Sequence, residues 1–261
     1  MIKFFRKIRY EHMEKGKTEK YLKYAIGEII LVVIGILIAL QINNFNEQRK
    51  DRAKEQVILK NLMEDYQANL LQLKEKMAMR NKMIVSAFEI LKAIDDPKSI
   101  NRDILISHLA VVIDWPTFDP IQNDLISSGN LRLIRNEKLT RLLSNWSSDI
   151  VALQEIESAW ASIVIRQFEP AVLKLGLSRD IANSWMNESD QLWLLDNIPN
   201  ATSTTIGISK NPSSVRTIIE SKDIEGLTSQ VLTYNKPANI QSEALLKRIN
   251  EIIDLIDKEI E

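Results

Sequence analysis

The sequence predicts an all-α protein in which one N-terminal transmembrane helix continues into a long helix that packs in an extracytoplasmic helical bundle. Three observations lead there. Gly and Pro number only 7 each in 261 residues, and Leu, Ile, Ala, Lys, Glu, Asn and Ser dominate, a composition that favours long helices over turn-rich sheets. Residues Ile29 to Leu40 are apolar without interruption. Beyond them, apolar residues recur at three- and four-residue spacing almost to the end of the chain. With 45% hydrophobic and 26% charged residues, the whole resembles average globular usage, which excludes both a disordered chain and a bundle of membrane spans.

The first segment, residues 1–24, carries eight Lys or Arg against three Glu, so the net charge of -1 conceals a basic tail and an acidic remainder. Phe4, Phe5, Ile8 and Met13 are spaced so that this tail would lie as an amphipathic helix on anionic headgroups, and its simplest role is to set orientation. The next segment, residues 25–45, contains AIGEIILVVIGILIALQI, with Glu28 as its one charge. Its strictly apolar part is short against the roughly 20 residues a span needs, so Tyr24, Gln41 and Asn43 belong at its edges, with Tyr21, Tyr24 and Phe45 where interfacial aromatics sit. No small-x-small cleavage site follows in IALQINNFN, which argues against a removed signal peptide. Gly35 and Ala39 form a small-xxx-small pair that would let two such helices pack closely.

Eight Lys or Arg precede the span within about 20 residues and five follow it. The side richer in Lys and Arg tends to stay in the cytoplasm. This orients the N-terminus inward and places residues 46–261 outside the inner membrane, in the periplasm if the cell has two membranes. The chain contains no Cys, which removes disulfides, thiolate metal sites and thiol nucleophiles and gives no vote on compartment.

Between Gly35 and Pro97 there is neither Gly nor Pro, and Leu59, Leu62, Tyr66, Leu70, Leu73, Met77, Ile84, Leu91 and Ile94 follow helical spacing. One continuous helix is expected, its seam interrupted by Arg80 and widened by Met63, Met83, Phe88 and Ile90. That pattern suits burial among several helices better than a strict two-stranded coiled coil. A second helix is expected near Asn101 to Ile113, ended by the WPTFDP stretch with Pro116 and Pro120. A short helix beginning near Pro120 and closed by Gly129 follows, and Asn136 caps the next. Leu139, Leu143, Trp146, Ile150, Leu153, Trp160 and Ile163 then predict a long helix to about Phe168, stopping before Pro170. Shorter helices are expected at 178–187 and 189–197, then an exposed loop at 199–212 with at most one strand. One or two helices fall within 213–235, and a final helix at 238–261 presents Leu245, Ile249, Ile252, Ile256 and Ile260 on one face.

Chemistry is sparse. His12 and His108 have no visible partner for metal or base work, and nucleophile-elbow, phosphate-loop and zinc-protease motifs are absent. The carboxylates of Glu64 and Asp65, of Asp95 and Asp96, and of Glu251, Asp254, Asp257, Glu259 and Glu261 read as solvated helix faces. No catalytic residue, metal site or cofactor is assigned. The five tryptophans, Trp115, Trp146, Trp160, Trp185 and Trp193, either pack the core or line a pocket. The proline-bracketed turn at 114–136 would be the lip of such a pocket, and Trp115, Phe118, Arg132 and Arg135 are the candidate ligand or partner surface.

The N-terminal block MIKFFRKIR, followed by KYLKYAIGEIILVVIGILIALQINNFNEQRKDRAKEQVILKNLMEDYQANL, resembles a family of uncharacterised single-pass membrane proteins abundant in Bacteroidota. The segment DLISSGNLRLIRNEKLTRLL is similar to a second block of that family. Phe45 stands where the family pattern has Trp, and the C-terminal half lacks the denser acidic and aromatic face of the family. The resemblance implies a single-pass anchor and a helical domain, and brings no catalytic residues.

The expected role is a non-enzymatic interaction or scaffold protein of the bacterial envelope. Its partners would be the lipid bilayer and another envelope protein or a second copy, not nucleic acid. A ligand-sensing helical ectodomain that signals through a partner is the alternative. An enzyme acting on envelope polymers would need paired carboxylates facing one cleft, and the sequence shows no such pair.

Overall fold

The structure, a computed structural model, describes residues 18–122, 125, 128–188 and 206–260. The basic tail up to residue 17, His12, the expected helix at 189–197 and Trp193 lie outside the described residues. By internal packing the chain forms two compact units, Met1–Ile58 and Leu59–Glu261. The first extends past the uninterrupted apolar run, which ends at Leu40.

Helix α1, Thr18–Asp95, contributes to both units. Nothing in its sequence stops it: no Pro occurs before Pro97, and Gly27 and Gly35 cost only about 1 kcal/mol each relative to Ala. In the first unit its most apolar stretch has a mean hydropathy of 2.6, and none of that stretch is buried in protein. Leu31 is 66% exposed and Ile29 63%, Ala39 is exposed, and nothing lies within 4 Å of a Cβ built on Gly35. It is one candidate membrane-spanning helix. Arg52 and Glu55 pair one turn apart farther along, at 2.8 Å.

Among the described residues of the second unit every regular element is helical. After the short 3-10 turn Pro97–Ser99 come α2, Arg102–Val112; a second 3-10 turn, Asn130–Leu133; α3, Glu137–Ile163; and a π-helical turn, Val164–Phe168. Then follow α4, Glu169–Lys174; α5, Ser178–Glu188; α6, Val215–Ile219; and α7, Lys222–Glu259. Caps fix the starts: Asn101 Oδ1 accepts from the Ile104 amide at 2.9 Å, Asn136 Oδ1 from Leu139 at 3.0 Å, and Ser214 Oγ from Thr217 at 3.1 Å. Each satisfies an amide that has no partner inside its own helix.

Three expected boundaries differ. The described residues 121, 122, 125 and 128 are not helical, so no short helix starts there; Gly129, at φ 71°, instead opens the 3-10 turn. Pro170 does not stop the run from α3. The π turn before it widens the ladder, and Pro170 falls in the first turn of α4, where a missing amide costs little. Pro237 sits inside α7, and both it and Thr233, whose carbonyl loses its partner in the ladder, are exposed residues, a setting in which the missing bond costs least.

The helix register follows from the cross-links. Tyr66 stacks edge-on against Trp146 at 5.3 Å and Arg80 pairs with Glu157, so α1 and α3 run parallel. Asn239 and Ser242 meet Asn81 and Arg80, whereas Arg248 and Glu259 reach back to Asp149 and Asn136, so α7 is antiparallel to both. A parallel neighbour demands a crossover, and α2 with the segment up to residue 136 supplies it.

The pair at the centre joins three helices. The Arg80 guanidinium is 1% and the Glu157 carboxylate 3% exposed; Arg80 also donates to Ser242 Oγ at 2.8 Å and Asn239 Oδ1 at 3.2 Å. Glu157 Oε2 accepts from the Phe118 amide at 2.9 Å. Arg80, read in the sequence as a break in the seam, is thus inside it. On either side lie apolar layers: Leu59, Leu62, Tyr66 and Leu73 before it on α1, and Met83, Ala87 and Ile90 after it. The later set joins α2, Trp160, Phe168, Ile181 and the start of α7 in one cluster.

Removing one member leaves the other charge buried and unpaired. Arg80→Met and Glu157→Leu are each expected to lower stability by about 3–5 kcal/mol, and the double variant to lose clearly less than the sum. Thermal unfolding of the four proteins measures this; additive losses would show that the pair is not coupled.

Candidate functional site

The segment 114–121 is not helical, and its two prolines, Pro116 and Pro120, supply no amides to a helical ladder. It runs extended across the second unit, and burial alternates: Trp115, Thr117 and Asp119 face outward, Pro116, Phe118 and Pro120 inward. A buried extended chain needs partners for its backbone, and helix side chains provide them. The Phe118 amide donates to Glu157, that of Asp119 to Gln72 Oε1 at 3.0 Å and that of Ile121 to Asn69 Oδ1 at 2.7 Å. The indole of Trp160 donates to the Asp114 carbonyl at 2.8 Å.

This fixed segment forms one wall of a groove of about 920 Å³ within the second unit. Lys76 and Met79 of α1 form another side, the π turn and α4 contribute Ile165, Glu169, Pro170 and Leu173, and α5 contributes Ser178, Ile181 and Trp185. Most of the lining is apolar, and its rim is open: Trp115 is 41%, Ile165 53% and Leu173 70% exposed. The π turn matters to this shape, since its extra residue per turn offsets the α4 face from that of α3.

Asp114 is the partly buried acid of the groove. Burial raises its pKa above the ordinary carboxylate value, and the Trp115 amide and the charge of Lys76 offset this only in part. Lys76 acts on Glu157 as well. Glu157 is itself pushed upward by burial against the opposing pull of Arg80.

On its other side α5 is tied down by Asp180, whose Oδ2 accepts from Arg102 at 2.9 Å and whose Oδ1 accepts from the Ser209 amide at 3.2 Å. Gly176, at φ 69°, makes the turn into α5; a Cβ there would stand 2.9 Å from the Asn211 carbonyl oxygen, so the segment 206–214 lies tight against that turn. Arg179 holds the same segment by donating from Nε to the Ile206 carbonyl at 2.8 Å.

Of the residues singled out from sequence, Trp115 stands on the groove rim. Phe118 is 1% exposed, a core residue rather than a surface one, because alternation in the extended segment turns it inward. Arg132 and Arg135 are exposed but do not line the groove. Trp146 and Trp160 are core residues, while Trp185 lines the groove. His108 Nδ1 lies 3.1 Å from Ser86 Oγ. Among the described residues no group of three His, Cys, Asp or Glu is placed to hold a metal ion. The Lys76, Met79, Ile165, Leu173 and α5 contributions were missed; the apolar Ile165 and Leu173 flanking Pro170 were the readable signal.

The geometry defines a helical protein with one candidate membrane-spanning helix and a grooved helical bundle. Residues 28–118 match the model of a family of unknown function (DUF6090), which spans the apolar helix, α2 and the extended segment as far as Phe118. It overlaps the first block of the resemblance seen in sequence and ends before the second. No curated protein and no solved structure matches the chain.

Burial alone would raise the Asp180 carboxyl, but its bonds to Ser209 and Arg102 hold it below the ordinary 3.8. Folded Asp180 therefore holds its proton less tightly than the unfolded chain does, so its contribution is present above 3.8 and lost as pH falls through the lower folded value. Asp180→Asn is expected to lower the Tm at neutral pH, with the gap from the native protein closing as pH drops below that range. A gap constant with pH would refute the assignment.

Proposed function

We propose that this chain is a single-pass protein of the bacterial envelope, of the kind abundant in Bacteroidota, with its N-terminus in the cytoplasm and its helical domain outside the inner membrane. There it serves as a non-enzymatic interaction or scaffold protein, holding a partner against the groove beside Trp115. The observation that carries the reading is the contrast between the two stretches of α1. From Leu59 on the helix buries a continuous stripe in protein, whereas its most apolar stretch buries none. Apolar surface of that extent is stabilised only by lipid or by another chain.

A second reading, a ligand-sensing domain that signals through a partner, is favoured by the groove size, which lies in the upper part of the roughly 300–1,000 Å³ of small-molecule sites. In both readings the groove does the recognising.

Topology decides the first step. A periplasm-active and a cytoplasm-active reporter, each fused after Glu261, are expected to give signal only from the periplasm-active fusion in whole cells. Signal only from the cytoplasm-active fusion would move the domain, and its partners, inside the cell.

A further inference from the structure

The groove combines three features that select the same chemistry. Its walls and rim are apolar, and the exposed surface of Ile165, Leu173 and Trp115 extends past the cavity, so a compact small molecule would leave much of it in water. Trp115 and Trp185 both line it, and an indole face attracts cations more strongly than the other aromatic rings do. Its charged groups are Lys76, Asp114 and Glu169, an excess of carboxylate. The one cation among these lining groups, Lys76, stands on α1.

Resting on the reading of the groove as the interaction surface, we propose that its occupant is a segment of a partner protein in which apolar side chains flank a Lys or Arg. The apolar residues cover Ile165, Leu173 and Trp115, and the cation sits between the tryptophan faces and the carboxylates of Asp114 and Glu169. An acidic segment is repelled by the same two carboxylates, so charge sets specificity while apolar contact supplies affinity.

The test uses the full chain in nanodiscs of zwitterionic lipid, with empty discs subtracted. Two fluorescein-labelled twelve-residue peptides serve as probes, identical in their leucines but carrying either lysines or glutamates, and binding is read by anisotropy. The lysine peptide is expected to bind about tenfold tighter or more than the glutamate peptide. Glu169→Gln, an exposed position, should narrow that ratio several-fold, while Leu173→Ser, also exposed, should weaken both peptides. If the two peptides bind equally, or the glutamate peptide binds better, and Leu173→Ser still weakens both, the charge assignment is overturned and the groove remains the docking surface. If binding ignores Leu173→Ser, or no peptide binds, both readings fall. If octyltrimethylammonium shifts the tryptophan emission and no peptide binds, the site takes a small amphiphile and the proposal is overturned.

Discussion

The arrangement of the helical domain depends on one buried charge having somewhere to go. A guanidinium held 1% exposed is tolerated only where most of its donors are met and its charge is answered. Arg80 obtains the answering charge and most of the hydrogen bonds from α3 through Glu157 and from α7 through Ser242 and Asn239, while its Nε has no hydrogen-bond partner among the described residues. Glu157 uses its other oxygen on the Phe118 amide, so the same pair fixes the extended segment. The apolar layers on either side tolerate many rotations and slides of helix on helix, but the pair tolerates one. It therefore acts as a register pin, and the position of the groove wall is a consequence of it.

Much of the helical framework was readable because local rules and packing agree. The run without Gly or Pro gives α1, and Asn101 and Asn136 mark the starts of α2 and α3 through side-chain bonds that need no tertiary context. The proline rules failed at Pro170 and Pro237 for opposite reasons. One stands just after a π turn, in the first turn of α4, and the other lies on the exposed face of α7 beside the exposed Thr233. Neither circumstance is visible in a window of sequence.

The groove was half legible. The bracket of Pro116 and Pro120 pointed to Trp115, but the segment was read as a turn, so its period of two went unused and Phe118 was placed on the wrong face. The central pair left a readable trace. Glu157 falls within the apolar stripe Leu139, Leu143, Trp146, Ile150, Leu153 and Trp160, just as Arg80 falls within that of α1. Opposite charges in two otherwise apolar stripes, each costly alone, are a signal that they meet. The side formed by α4 and α5 depends on the offset introduced by the π turn, which no residue pattern announced.

The span of these contacts along the chain sets an order of events during synthesis. Glu157 lies 77 residues beyond Arg80 and Ser242 lies 162 residues beyond it. As the chain emerges, α1 is finished long before Arg80 has an acid to meet, and α7, made after α3, completes its set of partners. Segments emerging from a ribosome at about 5–20 residues per second therefore wait for seconds with that charge hydrated and the seam around it open. The seam around Arg80 is incomplete until α7 has been made.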